Sequence, residues 1–383
     1  MASRYIELGV DIKKRGIEVF EQLLDNLYPH AFCTVVKDPD DPDYGLVLHT
    51  DGAGSKPVQS YLHWRETEEV KWFTGLAQDI LAMNLDDVIC VGAQPLCFID
   101  YVALNPFKVP KADLLSAIAT GLNRCLETLR KYEVKLLFAG GETADLPDQL
   151  RTLDVSGAML GRVELSEALT GDEIKPGATI VGLRSGGRTK YEDVENSGIM
   201  CNGITLARHC LINRDYQLKY PELGEPGGKG YYGKFAFNDY LDELGMTVGE
   251  AITSPTRLFA PVLKRILERC GAHVKGMVHN TGGGQTKCMR LGENIHYVKD
   301  KPIDIDPIFR LIQEESGEPW SNMYEGFNMG TGFEVIADTD HADEVISVSE
   351  SFGVGAQVIG RCEKSDGGNR LTIHSPFGRF CYS

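Results

Sequence analysis

Short apolar runs and longer amphipathic stretches alternate along the first half of the chain. In residues 113–131 the apolar side chains recur every three or four positions, and residues 70–85 show a similar spacing, so both stretches are predicted to be helices. Runs rich in Val, Leu, Ile and Phe predict strands at 44–49, 96–104, 134–139 and 153–160. This alternation favours an α/β or α+β fold over a helical bundle or a β-sandwich.

A polar turn divides the chain into two halves. The segment Asp172-Glu173-Ile174-Lys175-Pro176-Gly177 is rich in turn residues, and a strand is predicted directly after it, at 178–183. At 383 residues the chain also exceeds the size at which single hydrophobic cores usually stop growing. We therefore expect an N-terminal domain at residues 1–172 and a C-terminal domain at residues 173–383.

The second half continues the same alternation. The sequence Ser254-Pro255-Thr256-Arg257 has the residue types of a helix N-cap and first turn, and it predicts a helix that runs to about residue 269. Strands are predicted at 332–337 and 357–361, with a helix at 341–351 between them. Layers of strands and helices are therefore expected in both halves.

Charge and composition exclude several classes of protein. The net charge of −16 without a long basic stretch argues against general nucleic-acid binding and against docking on anionic membranes. No apolar run approaches the roughly 18 residues that span a bilayer, and the first residues lack the apolar core of a secretory signal. We therefore expect a cytoplasmic protein without a membrane or nucleic-acid partner.

The ten cysteines do not form a recognisable metal-binding pattern. Their spacing contains no C-x-x-C and no Cys/His arrangement typical of zinc sites, and several of them stand in apolar segments. Buried free thiols are therefore expected in preference to zinc ligands.

The most informative motif is Asp51-Gly52-Ala53-Gly54-Ser55-Lys56, which follows a short apolar run. Glycines let peptide N–H groups approach phosphates, a carboxylate binds a hard cation such as Mg²⁺, and an ammonium offsets phosphate charge. The motif therefore indicates a site for a magnesium-bound polyphosphate. The alternative is a plain turn, because Asp-Gly is a common turn pair and lysine often ends a turn in solvent.

Further acidic residues follow at separated places. Asp86 and Asp87 close a predicted helix, where the macrodipole disfavours negative charge, so a bound metal or solvation is needed to stabilise them. Gly140-Gly141-Glu142-Thr143-Ala144-Asp145 follows an apolar strand, and Asp154 stands nine residues later. Acids that arrive at strand ends from several segments are what a Mg²⁺ site shared with phosphates requires, with turn capping as the alternative.

Glycine-rich segments mark the second half. His279-Asn280-Thr281-Gly282-Gly283-Gly284-Gln285 could form a nest of backbone N–H groups for an anion, although flexible linkers use similar glycine runs. The segment Phe327-Asn328-Met329-Gly330-Thr331-Gly332 indicates close approach to a ligand or a neighbouring strand. The imidazole of His279 is suited to proton transfer at neutral pH, with packing or a structural hydrogen bond as the alternative.

Several common signatures are missing. The chain has no P-loop, no H-E-x-x-H, no G-x-S-x-G and no Rossmann G-x-G-x-x-G. Any phosphate-binding site must therefore use another architecture.

Taken together, the motifs resemble the phosphoribosylformylglycinamidine cyclo-ligase (aminoimidazole ribonucleotide synthetase) family. Matching segments run through nearly the whole chain, including those around residues 5–12, 51–56, 82–101, 140–145, 154–157, 197–203, 255–257, 279–284 and 327–332. The Asp-Gly and Gly-Gly-Glu elements also occur in selenophosphate synthetase, thiamine-phosphate kinase and formylglycinamidine ribonucleotide synthetase. The series in this order is specific to the cyclo-ligase.

The resemblance implies a two-domain α/β (α+β) synthetase fold and a homodimer in which the N-terminal sheets together form a β-barrel. It implies ATP and Mg²⁺ as cofactors and a small ribonucleotide as substrate. The implied reaction is ATP-dependent ring closure of formylglycinamidine ribonucleotide to aminoimidazole ribonucleotide in purine biosynthesis, with release of ADP and phosphate.

The resemblance also assigns roles to residues. The implied phosphate contact is Lys56, and within the implied reaction we assign proton transfer to His279 from the chemistry of its imidazole. The implied nucleotide contacts are Asp51, Gly52, Gly54, Ser55, Lys56, Asp87, Gly140, Gly141, Glu142 and Asp154. The implied metal ligands are Asp51, Asp87 and Glu142. The implied substrate contacts are Thr281, Gly282, Gly283 and Asn328.

Some segments depart from the family pattern. A family histidine is Met200 here, residues 186–196 are inserted before it, and the sequence after Gly284 differs. Residues 213–250, which have weak periodicity and many turn residues, look like an inserted surface excursion. These departures leave two alternatives, another ATP-dependent phosphoryl-transfer enzyme of the same superfamily or a catalytically silent nucleotide-binding dimer.

Overall fold

The computed structural model describes residues 4–11 and 16–383. Within these residues the longer strands form two separate sheets, one of five strands and one of seven, and a two-stranded hairpin stands apart. Neither of the two larger sheets takes strands from both sides of residue 172. The domain boundary at this residue stays a prediction.

The five-stranded sheet belongs to the first half of the chain. Its strands are β1 (Val36–Lys37), β2 (Tyr44–Gly52), β3 (Gln94–Leu104), β4 (Leu137–Asp145) and β5 (Leu153–Glu164), in the order β1-β2-β5-β3-β4. The pair β3 and β4 is parallel, and the other pairs are antiparallel. The helices of this half are α1 (Arg4–Glu7), α2 (Lys56–Thr67), α3 (Thr74–Ile89) and α4 (Lys111–Lys131).

The seven-stranded sheet belongs to the second half. Its strands are β6 (Thr179–Arg184), β9 (Val274–His279), β10 (Ile295–Lys299), β11 (Thr331–Ala337), β12 (Ala356–Lys364), β13 (Arg370–Ser375) and β14 (Gly378–Tyr382). Their order is β14-β13-β10-β12-β6-β11-β9. Strands β7 (Tyr240–Leu241) and β8 (Met246–Thr247) form the small hairpin. The helices are α5 (Ile204–Leu211), α6 (Arg214–Lys219), α7 (Val248–Thr253), α8 (Ala260–Cys270), α9 (Pro307–Ser316), α10 (Trp320–Gly326) and α11 (Ala342–Ser351).

Helix α3 is the central helix of the molecule. Every residue from Asp79 to Ile89 is buried. The helix packs on the first sheet through β2, β3 and β5, and it also contacts α4, α8 and β9. A helix that is covered on all sides must satisfy its polar side chains through other elements, because water does not reach them.

Helix α4 packs on α3 through the apolar positions that the sequence predicted. Leu114, Ile118, Leu122 and Cys125 are buried on one face, with charged residues on the other. At Gly121 a Cβ atom would overlap the main-chain oxygen of Thr74, so the two helices approach too closely for a side chain there. The amphipathic pattern therefore predicted the helix and its buried face correctly.

Several element boundaries were predicted wrongly. The helix predicted at 70–85 is α3, which begins at Thr74 and ends at Ile89. Strand β4 begins at Leu137 and continues through Gly140 to Asp145, so the Gly-Gly-Glu motif lies within a strand and does not form the loop that we expected after residue 139. Helix α8 begins at Ala260, and Ser254 is not its N-cap. The hydroxyl of Ser254 instead donates to the main-chain oxygen of Glu250, which closes α7.

The segment 213–250 is more than a surface excursion. It contains α6, the β7–β8 hairpin and the start of α7, and it buries Leu223, Tyr231 and Phe237. All ten cysteines are free thiols, and all but Cys97 and Cys381 are buried, which agrees with the expected burial of several of them. Over the described residues, the helices are too short or too polar to cross a membrane.

Candidate functional site

The C-terminal end of α3 carries a carboxylate with three basic partners. The side chain of Asp87 is buried, and its Oδ1 lies 2.7 Å from Nδ1 of His279 at the end of β9. Its Oδ2 lies 3.3 Å from Nε2 of His49 on β2 and 3.4 Å from Nζ of Lys287. Residues from both halves of the chain therefore meet at Asp87.

These partners decide the ionisation of the carboxyl. Burial alone raises the pKa of Asp87, but the positive charge of Lys287 and the contacts with His279 and His49 outweigh it and hold the pKa well below its usual range. Burial lowers the pKa of His279, although Asp87 opposes this effect. The favoured state is thus an ionised Asp87 beside a neutral His279.

His279 is held in one tautomer. Because the ionised Asp87 can only accept, Nδ1 of His279 carries the proton and donates it to Oδ1. The other nitrogen, Nε2, then presents a lone pair, and it is buried without a hydrogen-bond partner. The ring is packed against Phe259 and Phe333 at centroid distances of 6.1 and 5.7 Å.

Lys287 was not predicted as a site residue. Its ammonium donates a hydrogen bond to the hydroxyl of Thr281 and lies 4.5 Å from the centroid of the Phe32 ring. It stands in the short 3₁₀ helix Gly284–Arg290, which begins at the last glycine of the run. A lysine three residues after a candidate anion nest was the signal in the sequence that could have identified it.

His49 was also missed. It lies two residues before Asp51 on β2, and its Nδ1 is 3.1 Å from Oδ1 of Asn84 on α3. Alternate residues of a strand share a face, so the face of β2 that buries Val47 also carries His49 and Asp51. This alternation could have indicated His49 once the importance of Asp51 was recognised.

Asp86 is stabilised by the N-terminus of a helix. Its Oδ2 accepts a hydrogen bond of 2.9 Å from the main-chain N–H of Phe259, which precedes the first turn of α8. Unpaired N–H groups at a helix N-terminus favour negative charge. Burial nevertheless dominates and raises the pKa of Asp86 well above its usual value. The N–H groups at the start of α8 therefore explain how Asp86 is accommodated near the end of α3.

Lys56 is committed to a buried ion pair. Its ammonium donates to Oδ1 of Asp79 and to the main-chain oxygen of Ser254, both at 2.7 Å, and its side chain is 1% exposed. The neighbouring Ser55 hydroxyl lies 2.8 Å from that of Thr205. The predicted roles of Lys56 and Ser55 as phosphate contacts stay predictions.

The remaining residues of the Asp-Gly motif lie at the end of β2. Oδ1 of Asp51 accepts a 2.8 Å hydrogen bond from the N–H of Gly52, and both residues are partly exposed. Gly54 has a φ of +59°, a conformation that favours glycine. The predicted contacts of these residues with a nucleotide stay predictions.

The Gly-Gly-Glu motif and Asp154 lie elsewhere on the first sheet. Glu142 is paired with Tyr101 of β3, and Asp154 is paired with Ala103, so both acids share the outer face, away from α3. Gly140 and Gly141 precede Glu142 on the edge strand β4. Burial raises the pKa of Asp154, which is nevertheless an exposed residue.

Only some of the predicted substrate contacts lie at the site around Asp87. Thr281 joins the site through Lys287, and Gly282 and Gly283 follow it. Asn328, in contrast, is buried and holds the fold together. Its amide donates to the main-chain oxygen of Gly198, and its oxygen accepts from the hydroxyl of Ser185.

The three predicted metal ligands do not converge within one chain. Asp87 and Asp51 lie on the helix-facing side of the sheet, whereas Glu142 lies on the outer face. Over residues 4–11 and 16–383, one group of three or more His, Cys, Asp or Glu side chains brings its ligand atoms together, and it contains Asp87 but neither Asp51 nor Glu142.

Two family models match the chain. Residues 31–163 match the N-terminal domain of AIR synthase related proteins, and residues 175–371 match the C-terminal domain. A phosphoribosylformylglycinamidine cyclo-ligase from Methanocaldococcus jannaschii is 36% identical over 320 residues, which cover 83% of this chain and 78% of the relative. One from Carboxydothermus hydrogenoformans is 31% identical over 383 residues and 96% of each chain.

Solved structures share the fold at low sequence identity. A hydrogenase maturation protein HypE in complex with ATP matches 88% of this chain and 84% of its own, with 14% identity and a TM-score of 0.56. T. maritima PurL complexed with FGAR matches 95% of this chain and 48% of its own, with 14% identity and a TM-score of 0.54. The two-domain fold with mixed α and β content is thus that of AIR synthase. By its two domains and its relatives, the chain belongs to the phosphoribosylformylglycinamidine cyclo-ligase family of AIR synthase related proteins.

Proposed function

We propose that the chain catalyses the ATP-dependent ring closure of formylglycinamidine ribonucleotide to aminoimidazole ribonucleotide in purine biosynthesis. Relatives named for this ligase activity align over most of the chain at 31–36% identity. The observation that carries the proposal at the level of residues is the Asp87–His279 pair, in which one imidazole nitrogen is fixed by a carboxylate and the other has no partner.

The reaction has two steps. ATP transfers its terminal phosphoryl group to the formyl oxygen of the substrate, which converts a poor leaving oxygen into phosphate. The amidine nitrogen then attacks the activated carbon, phosphate leaves, and the nitrogen loses a proton. Because both reacting atoms belong to one molecule, holding them in register supplies much of the second step.

His279 is the proposed acceptor of that proton. In the tautomer fixed by Asp87, its Nε2 lone pair can take a proton, and the imidazolium that forms would be stabilised by the adjacent carboxylate. The side chain is fully buried, so we propose that substrate reaches it when the loop after β9 moves away from α3. Lys287 would then hold Thr281 at the edge of this opening.

The nucleotide is proposed to bind along the motifs of the first sheet. Mg²⁺ belongs to this proposal, but Asp51, Asp87 and Glu142 of one chain do not fit a single ion, so no step is assigned to it. Bound magnesium would supply charge compensation for the phosphates. The predicted contacts of Lys56 and the Gly140–Asp154 region are kept within this proposal.

We also propose that the chain forms a homodimer through the outer face of the first sheet. That face exposes apolar side chains, with Leu48, Ile99 and Tyr101 exposed by 67%, 45% and 38%. A contiguous apolar face of this kind indicates a protein interface, and two such sheets can close into a β-barrel. Glu142 and Asp154 share the same face, so the partner's sheet would lie beside them. A cytoplasmic location is proposed together with the purine-biosynthetic role.

The test is the release of ADP by the purified protein with and without formylglycinamidine ribonucleotide. We expect ADP release to require the ribonucleotide and to match the aminoimidazole ribonucleotide formed. ADP release that ignores this substrate would indicate another phosphoryl-transfer reaction. Binding of ATP without any turnover would favour a silent nucleotide-binding dimer.

A further inference from the structure

Three side chains of different chemistry converge beside the end of α3. The Sγ of Cys33, a ring nitrogen of His49 and a carboxylate oxygen of Asp87 all lie within 4.8 Å of one another. Cys33 and Asp87 are buried, and the thiol is held in place by a 3.2 Å hydrogen bond to the main-chain oxygen of Asp87. The three residues come from separate segments of the chain, so no local spacing in the sequence indicates the cluster.

The hydrogen bonds of Asn84 determine which nitrogen of His49 faces the cluster. The amide nitrogen of Asn84 donates to the main-chain oxygens of Asp51 and Ile80, at 3.0 and 2.8 Å. Its Oδ1 must therefore point toward His49, where it accepts from Nδ1 at 3.1 Å. A neutral His49 then has its lone pair on Nε2.

That lone pair points at an anion. Nε2 of His49 lies 3.3 Å from Oδ2 of Asp87, and two electron-rich atoms at this distance repel each other unless a positive species lies between them. The species can be a proton, which makes His49 an imidazolium, or a metal ion. The thiol of Cys33 favours the metal, because a soft sulfur ligand adds affinity for a metal and is not needed by a proton.

We propose that Cys33, His49 and Asp87 form a binding site for one zinc ion. Three protein ligands with a fourth position left open are typical of zinc sites that exchange ligands with solvent. His49 is 21% exposed, which gives the ion a path of entry. Binding would release the proton of the Cys33 thiol, and the Nδ1 hydrogen bond to Asn84 would orient the imidazole as outer partners do in zinc proteins.

Lys287 is the opposing charge. Its ammonium lies 3.4 Å from the Asp87 oxygen that faces His49, so it competes with a cation at this position. Its contacts with Thr281 and the Phe32 ring hold the ammonium at this position. We therefore expect Lys287→Met to raise the affinity for zinc severalfold.

The first experiment measures zinc binding by the chelator-treated protein with a competing chromophoric chelator. We expect one Zn²⁺ per chain, and the substitutions Cys33→Ser and His49→Gln should each lower the affinity by about 100-fold or more. Cys381→Ser is the matched control, because this thiol is exposed and stands outside the cluster. Equal zinc affinity in all four proteins would overturn the proposal.

A second measurement needs no variant and so does not depend on the folding of the substituted proteins. X-ray absorption of the zinc-loaded wild-type chain should show one sulfur at about 2.3 Å with the other ligands at about 2.0–2.2 Å. A zinc coordination shell of nitrogen and oxygen alone would show that Cys33 is not a ligand. That result would refute the proposed site and leave a proton as the species between His49 and Asp87. Neither result bears on ring closure, which is assayed separately by ADP release.

Discussion

At the scale of single residues, the neighbouring carboxyl groups of Asp86 and Asp87 have pKa values shifted in opposite directions. Burial raises the pKa of Asp86, whereas Lys287, His279 and His49 overcome burial at Asp87 and lower its pKa. These partners stand far from α3 in the sequence. The sequence therefore could identify Asp87 as important but could not show what would stabilise it.

The first prediction at this scale concerns Lys56. Because the side chains of Lys56 and Asp79 are both buried, Lys56→Met leaves a carboxylate buried without its cation, which should cost about 3–5 kcal/mol of unfolding free energy. Urea denaturation measures this loss, with the exposed Lys71→Met as the control. A stable Lys56→Met protein with a raised KM for ATP would instead support the phosphate contact.

A second prediction concerns His63 and acid. Its ring is packed between Trp72 and Phe237, both nitrogens lack partners, and burial lowers its pKa to about 3. An unfolded histidine titrates near pH 6.5, so the unfolded state binds a proton first as the pH falls. From about pH 6.5 toward pH 3 this residue should remove up to about 1.4 kcal/mol of stability per pH unit.

The matched variant is His63→Phe, which keeps an aromatic ring and removes the titration. Its unfolding free energy, measured by urea denaturation between pH 7 and pH 4, should fall less steeply than that of the wild type. Parallel curves for the two proteins would contradict this assignment.

At the scale of elements, the spacing of apolar residues correctly predicted the strands and helices that bury one face. It did not predict element boundaries that are set by tertiary contacts. The amphipathic repeat placed α4 within two residues of its start, and β5 began where predicted. Strand β4 extends past Gly140 because β3 pairs with it again from Gly141 to Asp145. The turn-forming glycines gave no sign of this pairing in the sequence. Helix α8 starts later because the buried main chain before it is bound by Asp79 and Asp86.

The contact between α3 and α4 gives a prediction at this scale. Alanine is a better helix former than glycine by about 1 kcal/mol, yet a Cβ at position 121 would overlap Thr74 and lie 2.7 Å from the Cβ of Ala77. We expect Gly121→Ala to lower the unfolding free energy by about 1–3 kcal/mol, as overpacked sites do. Thr120→Ala, at an exposed position of the same helix, should be neutral or stabilising in the same thermal or urea unfolding assay.

At the scale of the whole molecule, the two sheets meet around α3, and the face of the first sheet that α3 leaves uncovered exposes large apolar side chains. The resemblance implied a dimer, and composition alone did not indicate which surface would form it. Side chains alternate between the two faces along β2 and β3, and in the folded sheet this places Leu48 and Ile99 on the uncovered face. The division of the acidic motifs between the two faces also could not be predicted, because it depends on the register of β2, β3 and β4.

The proposed dimer gives a prediction about the mass of the protein in solution. The wild-type chain should sediment as a dimer, and Leu48→Lys, which places a charge on the 67% exposed apolar face, should give a monomer. Val194→Lys is the control, because Val194 is similarly exposed, by 69%, and lies outside this face. Analytical ultracentrifugation that finds a wild-type monomer, or an unchanged dimer in Leu48→Lys, would contradict the proposed interface.

We propose that Asp87 organises the reacting site of an ATP-dependent ring closure. The most direct test of this proposal compares the rate of aminoimidazole ribonucleotide formation by the wild type and by Asp87→Asn, which keeps the shape of the side chain and removes its charge. We expect the wild type to form one ring per ATP and the variant to be slower by at least about 100-fold. Full activity in a folded Asp87→Asn protein would contradict the account.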